Sequence, residues 1–237
     1  MLHELHVDAD RERLARAAAR EIARRAREAV SARGRFTMAV SGGRNPWTMF
    51  HELTSCDVPW DRTQIFQVDE RVAPRGDDER NLTHLEASLA GVEVDLLAMP
   101  VDEDDLEAAA ARYESELPVR FDLIHLGLGP DGHTASLVPE DPVLEVIARR
   151  VSLTRPYQGR VRMTLTFDAL ARCEGLLWLI TGEETRPALT RLLAGDETIP
   201  AGRVRAPHSL IMTDLDVALT HLSDPISPGR DATGTPE

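Results

Sequence analysis

FDLIHLGLGPDGHTASLVP, residues 121–139, runs from an apolar segment into a glycine-rich turn and on to a proline. FDLIHL (121–126) reads as a buried strand, and Gly127-x-Gly129-x-x-Gly132 behind it has the spacing of a dinucleotide-binding fingerprint. That fingerprint requires a long helix straight after the third glycine and an acid at the end of the next strand. HTASLVPEDP reaches Pro139 within seven residues of Gly132, which leaves room for only a short helix. The next strand candidate ends in LTRPY, with no acid for a ribose, and the motif lies mid-chain rather than opening its unit. These features argue against a dinucleotide cofactor.

What is left is Asp131, Gly132, His133 and Thr134 directly behind a buried strand. Glycines let a ligand come close to the backbone, and a helix starting after the turn would offer N–H groups to an anion or oxyanion. His133 suits a general base near neutral pH, and Asp131 suits the group that orients or polarises it. The same residues also read as a tight turn in which Asp131 caps the helix and His133 is merely exposed.

Working outward, the chain alternates between short apolar runs and helical periodicity. Asp8 or Asp10 is positioned to cap a helix to about Ala32, with Leu14, Ala18, Ile22, Ala26 and Val30 on one face and Gly34 ending it. FTMAV (36–40) reads as a strand followed by the loop SGGRNP and a helix opening at Pro46. QIFQV (64–68), DLLAM (95–99), GLLWLIT (175–181) and LIMT (210–213) read as further strands, with helices near 80–90, 103–117, 184–194 and 215–222. This alternation predicts an α/β fold: a single Rossmann-like, doubly wound, mostly parallel sheet with helices on both faces. VSLT (151–154) and RVRMTLT (160–166) are expected to form an antiparallel pair at its edge. One domain spans 1–222, and the Pro/Gly/Ser/Thr-rich tail 223–237 is expected to be disordered.

In such sheets the loops at the carboxyl ends of the strands form the site. SGGRNP (41–46) is a strand-to-helix turn suited to holding phosphate through Ser41, Gly42, Gly43 and Arg44, although it lacks the P-loop pattern. It also reads as a plain loop ahead of a proline-started helix. VDER (68–71) places Asp69, Glu70 and Arg71 at a strand end. Arg71 fits a bidentate phosphate contact, and Asp69 fits sugar hydroxyls or a base role. Such a cluster is equally a surface ion pair. RGDDERN (75–81) reads as a solvated loop, and His51 and His208 as structural or exposed. His84, His125 and His133 do not fall into a metal-ligand spacing, so no metal is expected.

The formal net charge is −13, which disfavours nucleic acid and anionic membrane surfaces and requires any anionic ligand to meet a locally positive pocket. Every basic residue apart from histidine is Arg; the chain has no Lys, which removes Schiff-base chemistry through a lysine amine. Cys56 and Cys173 are isolated, as in a reducing compartment. No signal peptide is visible at the start, and the longest apolar stretch is far too short to span a bilayer. A cytoplasmic protein is the expectation.

VSGGRNP, QVDERVAP with a later DDERN, LGLGPDGHTASLVP, RMTLT with Leu170 after it, and TGEE together resemble the 6-phosphogluconolactonase family, in the family's order and over roughly residues 36–195. The resemblance implies hydrolysis of 6-phospho-D-glucono-1,5-lactone in the oxidative pentose phosphate pathway, with a phosphorylated sugar lactone as ligand and no metal or organic cofactor. It makes His133 the base for the attacking water and Asp131 its support. Ser41, Gly42, Gly43, Arg44, Asp69, Arg71, Gly132, Thr134 and Arg162 become substrate contacts. Where the family often has a Lys after T-G-x-x, this chain has Thr185 and then Arg186, so Arg186 is the expected replacement. Arg80-Asn81 stands where Ser-Asn is common. A monomer or small homo-oligomer is compatible with all of this. Two rivals remain: a glucosamine-6-phosphate deaminase, whose downstream carboxylate after the glycine turn is missing here, and a non-catalytic sugar-phosphate-binding regulator.

Overall fold

The computed structural model describes residues 2–43 and 46–217. In chain order the elements are β1 (Glu4–Val7), α1 (Arg11–Arg33), β2 (Phe36–Val40), α2 (Pro46–Thr54), β3 (Thr63–Gln67), β4 (Asp69–Arg71), α3 (Asn81–Ser88), β5 (Asp95–Leu97), α4 (Leu106–Glu116) and β6 (Leu123–Leu126). They continue with β7 (Val151–Leu153), β8 (Arg162–Leu165), α5 (Phe167–Leu170), β9 (Gly175–Ile180), α6 (Arg186–Leu193), α7 (Pro200–Arg203) and β10 (His208–Thr213). Helix α1 starts where the Asp10 carboxylate accepts from the N–H groups of Glu12 and Arg13, and stops at Gly34 in the left-handed region. Of the two N-caps the sequence allows, Asp10 is the one used.

Seven parallel strands form the main sheet in the order β1-β10-β9-β6-β2-β3-β5. FTMAV, LIHL and GLLWLI are buried at every position, as strands covered on both faces must be. Alternation then sorts their side chains. Met38, Val40, Leu123, Leu177 and Leu179 pack with α1, α2 and α3, while Ala39, Ile124, Leu126, Trp178 and Ile180 pack with α4 and α6. From β2 the chain winds outward through β3 and β5. It then returns to β6 on the opposite side of β2 and winds the other way through β9 and β10. The switch point lies between β2 and β6, so the loops opening at Ser41 and Gly127 flank the crevice where such sheets bind ligands.

The structure departs from the sequence reading in three expectations and adds one strand. Strands β7 and β8 do pair antiparallel, but not at the edge of the main sheet: they join β4 in a separate three-stranded sheet, with Asp69, Glu70 and Arg71 opposite Thr164, Met163 and Arg162. ELHV, unassigned in the sequence, adds the parallel edge strand β1 beside β10. No helix follows Gly132; the segment 133–141 is a run of turns, so a helix N-terminus offers nothing to an anion there. The helix expected at 215–222 is not helical over 215–217, and its remainder, like the tail 223–237, lies outside the described residues. Among the described residues no helix is long and apolar enough to cross a membrane.

Candidate active site

A cleft at the carboxyl ends of the parallel strands is lined by Ser41, Gly42, Asp69, Arg71, Gly129 and His133, together with Thr134, Arg162 and Thr181. Its most reactive feature comes from the turn after β6. Asp131 Oδ1 lies 2.5 Å from His133 Nδ1 and also accepts from the His133 backbone N–H at 3.1 Å. Burial works against the Asp131 charge, but the hydrogen bond and charge of His133 outweigh it and hold the carboxyl down to about 2. An ionised Asp131 makes Nδ1 the protonated nitrogen, which leaves the Nε2 lone pair to take a proton. The turn holds this pair in place: Gly129 N–H donates to the His133 carbonyl at 2.9 Å, and the Thr134 hydroxyl donates to the Gly127 carbonyl at 2.8 Å. Gly129 has to be a glycine for a spatial reason, since a Cβ there would overlap the His133 ring.

The second wall comes from β4 and β8. Arg71 Nη1 donates to the Glu79 carbonyl at 2.7 Å and to Asn81 Oδ1 at 3.0 Å, which fixes the guanidinium at the cleft. Arg162 is 5% exposed, and its Nε is buried with no hydrogen-bond partner. Burial lowers its pKa against the opposing charge of Asp69. A buried cation with an unused donor at a cleft is a site prepared for an anion. Asp69 accepts from the Ser136 hydroxyl at 2.6 Å and the Ser41 hydroxyl at 3.4 Å, so it ties the two walls together. Gly42 packs against Asn81, whose amide would clash with any Cβ at that position.

Two residues expected at the cleft lie away from it. Gly132, with φ +85°, packs on Ile199, and its N–H and carbonyl bond Gly129 and Ala201; it shapes the turn and does not line the cleft. Arg186 faces away from the cleft: it donates twice to Glu183, each at 2.7 Å, and to the Asp216 carbonyl. Its chain neighbours Glu184 and Thr185 line the cleft instead. Arg44 lies outside the described residues. Among the described residues no three His, Cys, Asp or Glu side chains are grouped to hold a metal ion.

Several site residues were not legible in the sequence. Glu70, fully buried, accepts from Gln67 Nε2 and from the N–H groups of Arg71, Asn81 and Leu82, and so caps α3 from β4. Arg80, 1% exposed, lies 3.5 Å from that carboxylate. RGDDERN is a largely exposed turn from Arg75 to Glu79 that leads into α3, and only its last two residues, Arg80 and Asn81, are buried at the site. His125 lines the cleft from within β6, with both ring nitrogens buried and without partners, and burial pushes its pKa down to about 3. Tyr157 reaches the Asp131–His133 pair from the turn before β8. An uncharged histidine inside an apolar run was the single available signal for His125; nothing local marks Tyr157.

Residues 9–213 match the family model for glucosamine-6-phosphate isomerases/6-phosphogluconolactonase. A protein named 6-phosphogluconolactonase from Streptomyces coelicolor is 32% identical over 229 residues, covering 86% of each chain. One from a Nostoc species is 30% identical over 206 residues, 80% of this chain and 85% of its own. Among solved structures, the 6-phosphogluconolactonase of Thermotoga maritima superposes with a TM-score of 0.80 at 27% identity, over 90% of this chain and 98% of its own. A monomeric glucosamine-6-phosphate deaminase shares the fold at a TM-score of 0.77 and 18% identity, over 89% of this chain and 96% of its own. The fold alone therefore does not separate the two chemistries, whereas sequence and fold together fix the kinship: this chain belongs to the glucosamine-6-phosphate isomerase/6-phosphogluconolactonase family.

Proposed function

We propose that the protein hydrolyses 6-phospho-D-glucono-1,5-lactone to 6-phosphogluconate, the second step of the oxidative pentose phosphate pathway. The observation that carries this is the His133–Asp131 pair, at 2.5 Å, in a cleft whose facing wall holds Arg71 and Arg162. The arginines take the phosphate, and the lactone carbon then comes to the histidine. His133 Nε2 accepts a proton as water attacks C1, and ionised Asp131 stabilises the imidazolium that forms. Collapse of the tetrahedral intermediate breaks the bond from C1 to the ring oxygen, and His133 returns the proton to that oxygen. One water is consumed, one acid and one hydroxyl are produced, and no covalent enzyme intermediate is needed. The reading calls for no metal or organic cofactor, and for neither nucleic acid nor membrane as partner. Its two free cysteines and acidic surface suit the cytosol.

Deamination of an amino sugar requires a further carboxylate after the glycine turn, and the residues here are Thr134-Ala135-Ser136-Leu137. The test is an assay of the purified protein on freshly prepared 6-phosphogluconolactone, with glucosamine-6-phosphate in parallel. Acid release from the lactone above the spontaneous rate, with no ammonia from the amino sugar, is expected. Ammonia release without lactone hydrolysis would overturn the assignment.

A further inference from the structure

Three side chains connect the anion-binding wall to the catalytic pair through one hairpin. The turn Tyr157-Gln158-Gly159-Arg160 closes by an antiparallel bridge between its ends, with Gln158 at φ 52° and Gly159 at φ 83°. A non-glycine residue in the left-handed region is held there by its surroundings. Gln158 Oε1 accepts from Arg162 Nη2 at 3.2 Å, and Arg160 pairs with Glu79 and Asp77. Tyr157 is thereby placed between the two functional groups. The Arg162 guanidinium lies 4.9 Å over its ring centroid, the His133 ring meets it at 5.7 Å with planes tilted 63°, and its hydroxyl donates to Asp131 Oδ2 at 3.3 Å. Asp131 is thus held at both oxygens: Oδ1 by His133 and Oδ2 by Tyr157. The tyrosine sets the plane of the carboxylate that orients the base.

We propose that Tyr157 is a positioning residue that couples occupancy of the Arg162 anion site to the geometry of the His133–Asp131 pair, so that the phosphate end of the substrate raises kcat as well as lowering KM. The inference rests on the lactonase reading above. An anion on Arg162 fixes a guanidinium that now has an unused buried donor, and the fixed guanidinium in turn holds the Tyr157 ring by its face. With the ring held, the hydroxyl keeps Asp131, and Asp131 keeps His133, in the reactive arrangement before water attacks. In the language of binding energy, the phosphate, remote from the bond that breaks, contributes to the transition state as well as to affinity.

The experiment compares the full-length wild type with Tyr157→Phe and Tyr157→Leu on 6-phosphogluconolactone and on unphosphorylated gluconolactone, the latter with and without inorganic phosphate. Wild type is expected to turn over the phosphorylated lactone with the higher kcat, and added phosphate should activate its turnover of gluconolactone. Tyr157→Phe, which keeps the ring and removes one hydrogen bond, should lower kcat on the phosphorylated lactone by roughly threefold to tenfold with little change in KM. Tyr157→Leu should bring the kcat ratio of the two lactones close to one and abolish activation by added phosphate. Loss of folding in Tyr157→Leu would show as a lowered melting temperature with both substrates reduced alike, and Tyr157→Phe, which keeps the ring, then carries the test. A wild type that is not activated by phosphate, or variants that retain the wild-type ratio and activation, would overturn the proposal. A wild type with no activity on 6-phosphogluconolactone would instead overturn the lactonase reading.

Discussion

Gly129→Ala tests the catalytic turn through space alone. The backbone at Gly129 lies outside the left-handed region, so alanine is conformationally acceptable there, and it would even narrow the unfolded ensemble. The difficulty is the position of the added methyl. It would overlap Cε1 and Nδ1 of His133 and sit 2.8 Å from Asp131 Oδ1. The obstacle is the end of a rotatable side chain, so the imidazole swings aside at small cost to folding. From 2.1 Å it must move by more than about 1 Å to reach ordinary van der Waals distance, and a misplacement of that size costs on the order of 10²-fold in rate. That equals about 2.7 kcal/mol of transition-state stabilisation, at about 1.36 kcal/mol per decade. The expected result is a kcat on 6-phosphogluconolactone lowered about 100-fold, with a melting temperature close to that of wild type and product binding nearly unchanged. Wild-type turnover in a protein shown by mass to carry the alanine would refute the assignment of this turn. A large drop in melting temperature would show that the turn, and not the imidazole, gave way.

Further outcomes follow from the same geometry. Arg71→Ala should raise KM for the phosphorylated lactone at least about tenfold, the worth of one charge-assisted contact, whereas Arg186→Ala should leave KM within about twofold because its guanidinium is committed to Glu183 and Asp216. Steady-state kinetics with unphosphorylated gluconolactone as the control checks both. Glu70→Ala removes a carboxylate that serves four donors and leaves the buried Arg80 with only the more distant Asp102 as a charged partner, so denaturant unfolding should show a loss of about 3–5 kcal/mol. His125 supplies a pH dependence. Its folded pKa of about 3 lies below the ordinary 6.5, so the unfolded chain takes up a proton there that the folded chain refuses. Above about 6.5 this group adds no pH dependence, and below it the stability falls progressively toward about pH 3. His125→Leu should therefore lose less melting temperature than wild type between about pH 7 and about pH 4.5, measured by calorimetry.

The parallel sheet was legible because its strands are uninterrupted apolar runs closed by glycine, serine or charge, and because Asp10 and Gly34 mark the first helix at both ends. The crevice was legible for the same reason: SGG and LGLGPDGH stand at strand ends on either side of the reversal in strand order. Strand β4 escaped because Asp-Glu-Arg has the composition of a surface loop. Its Glu70 is buried only because α3, beginning eleven residues later in Asn81, presents N–H groups to it. Arg186 misled because adjacency in sequence is not adjacency in space. On the first turn of α6 it points to Glu183, while Thr185 one position earlier lines the cleft. The Tyr157 contact spans 26 residues through a hairpin whose placement depends on the small second sheet, and no local pattern encodes that.

The central claim is that His133, oriented by Asp131, activates water against a phosphorylated lactone. Its most direct measurement is kcat on 6-phosphogluconolactone for wild type and His133→Ala, corrected for spontaneous hydrolysis, alongside the affinity of each for 6-phosphogluconate. The account predicts a fall in kcat of roughly 10²–10⁴-fold, the contribution of a positioned base, with product affinity changed far less. Turnover by His133→Ala at the wild-type rate would contradict it.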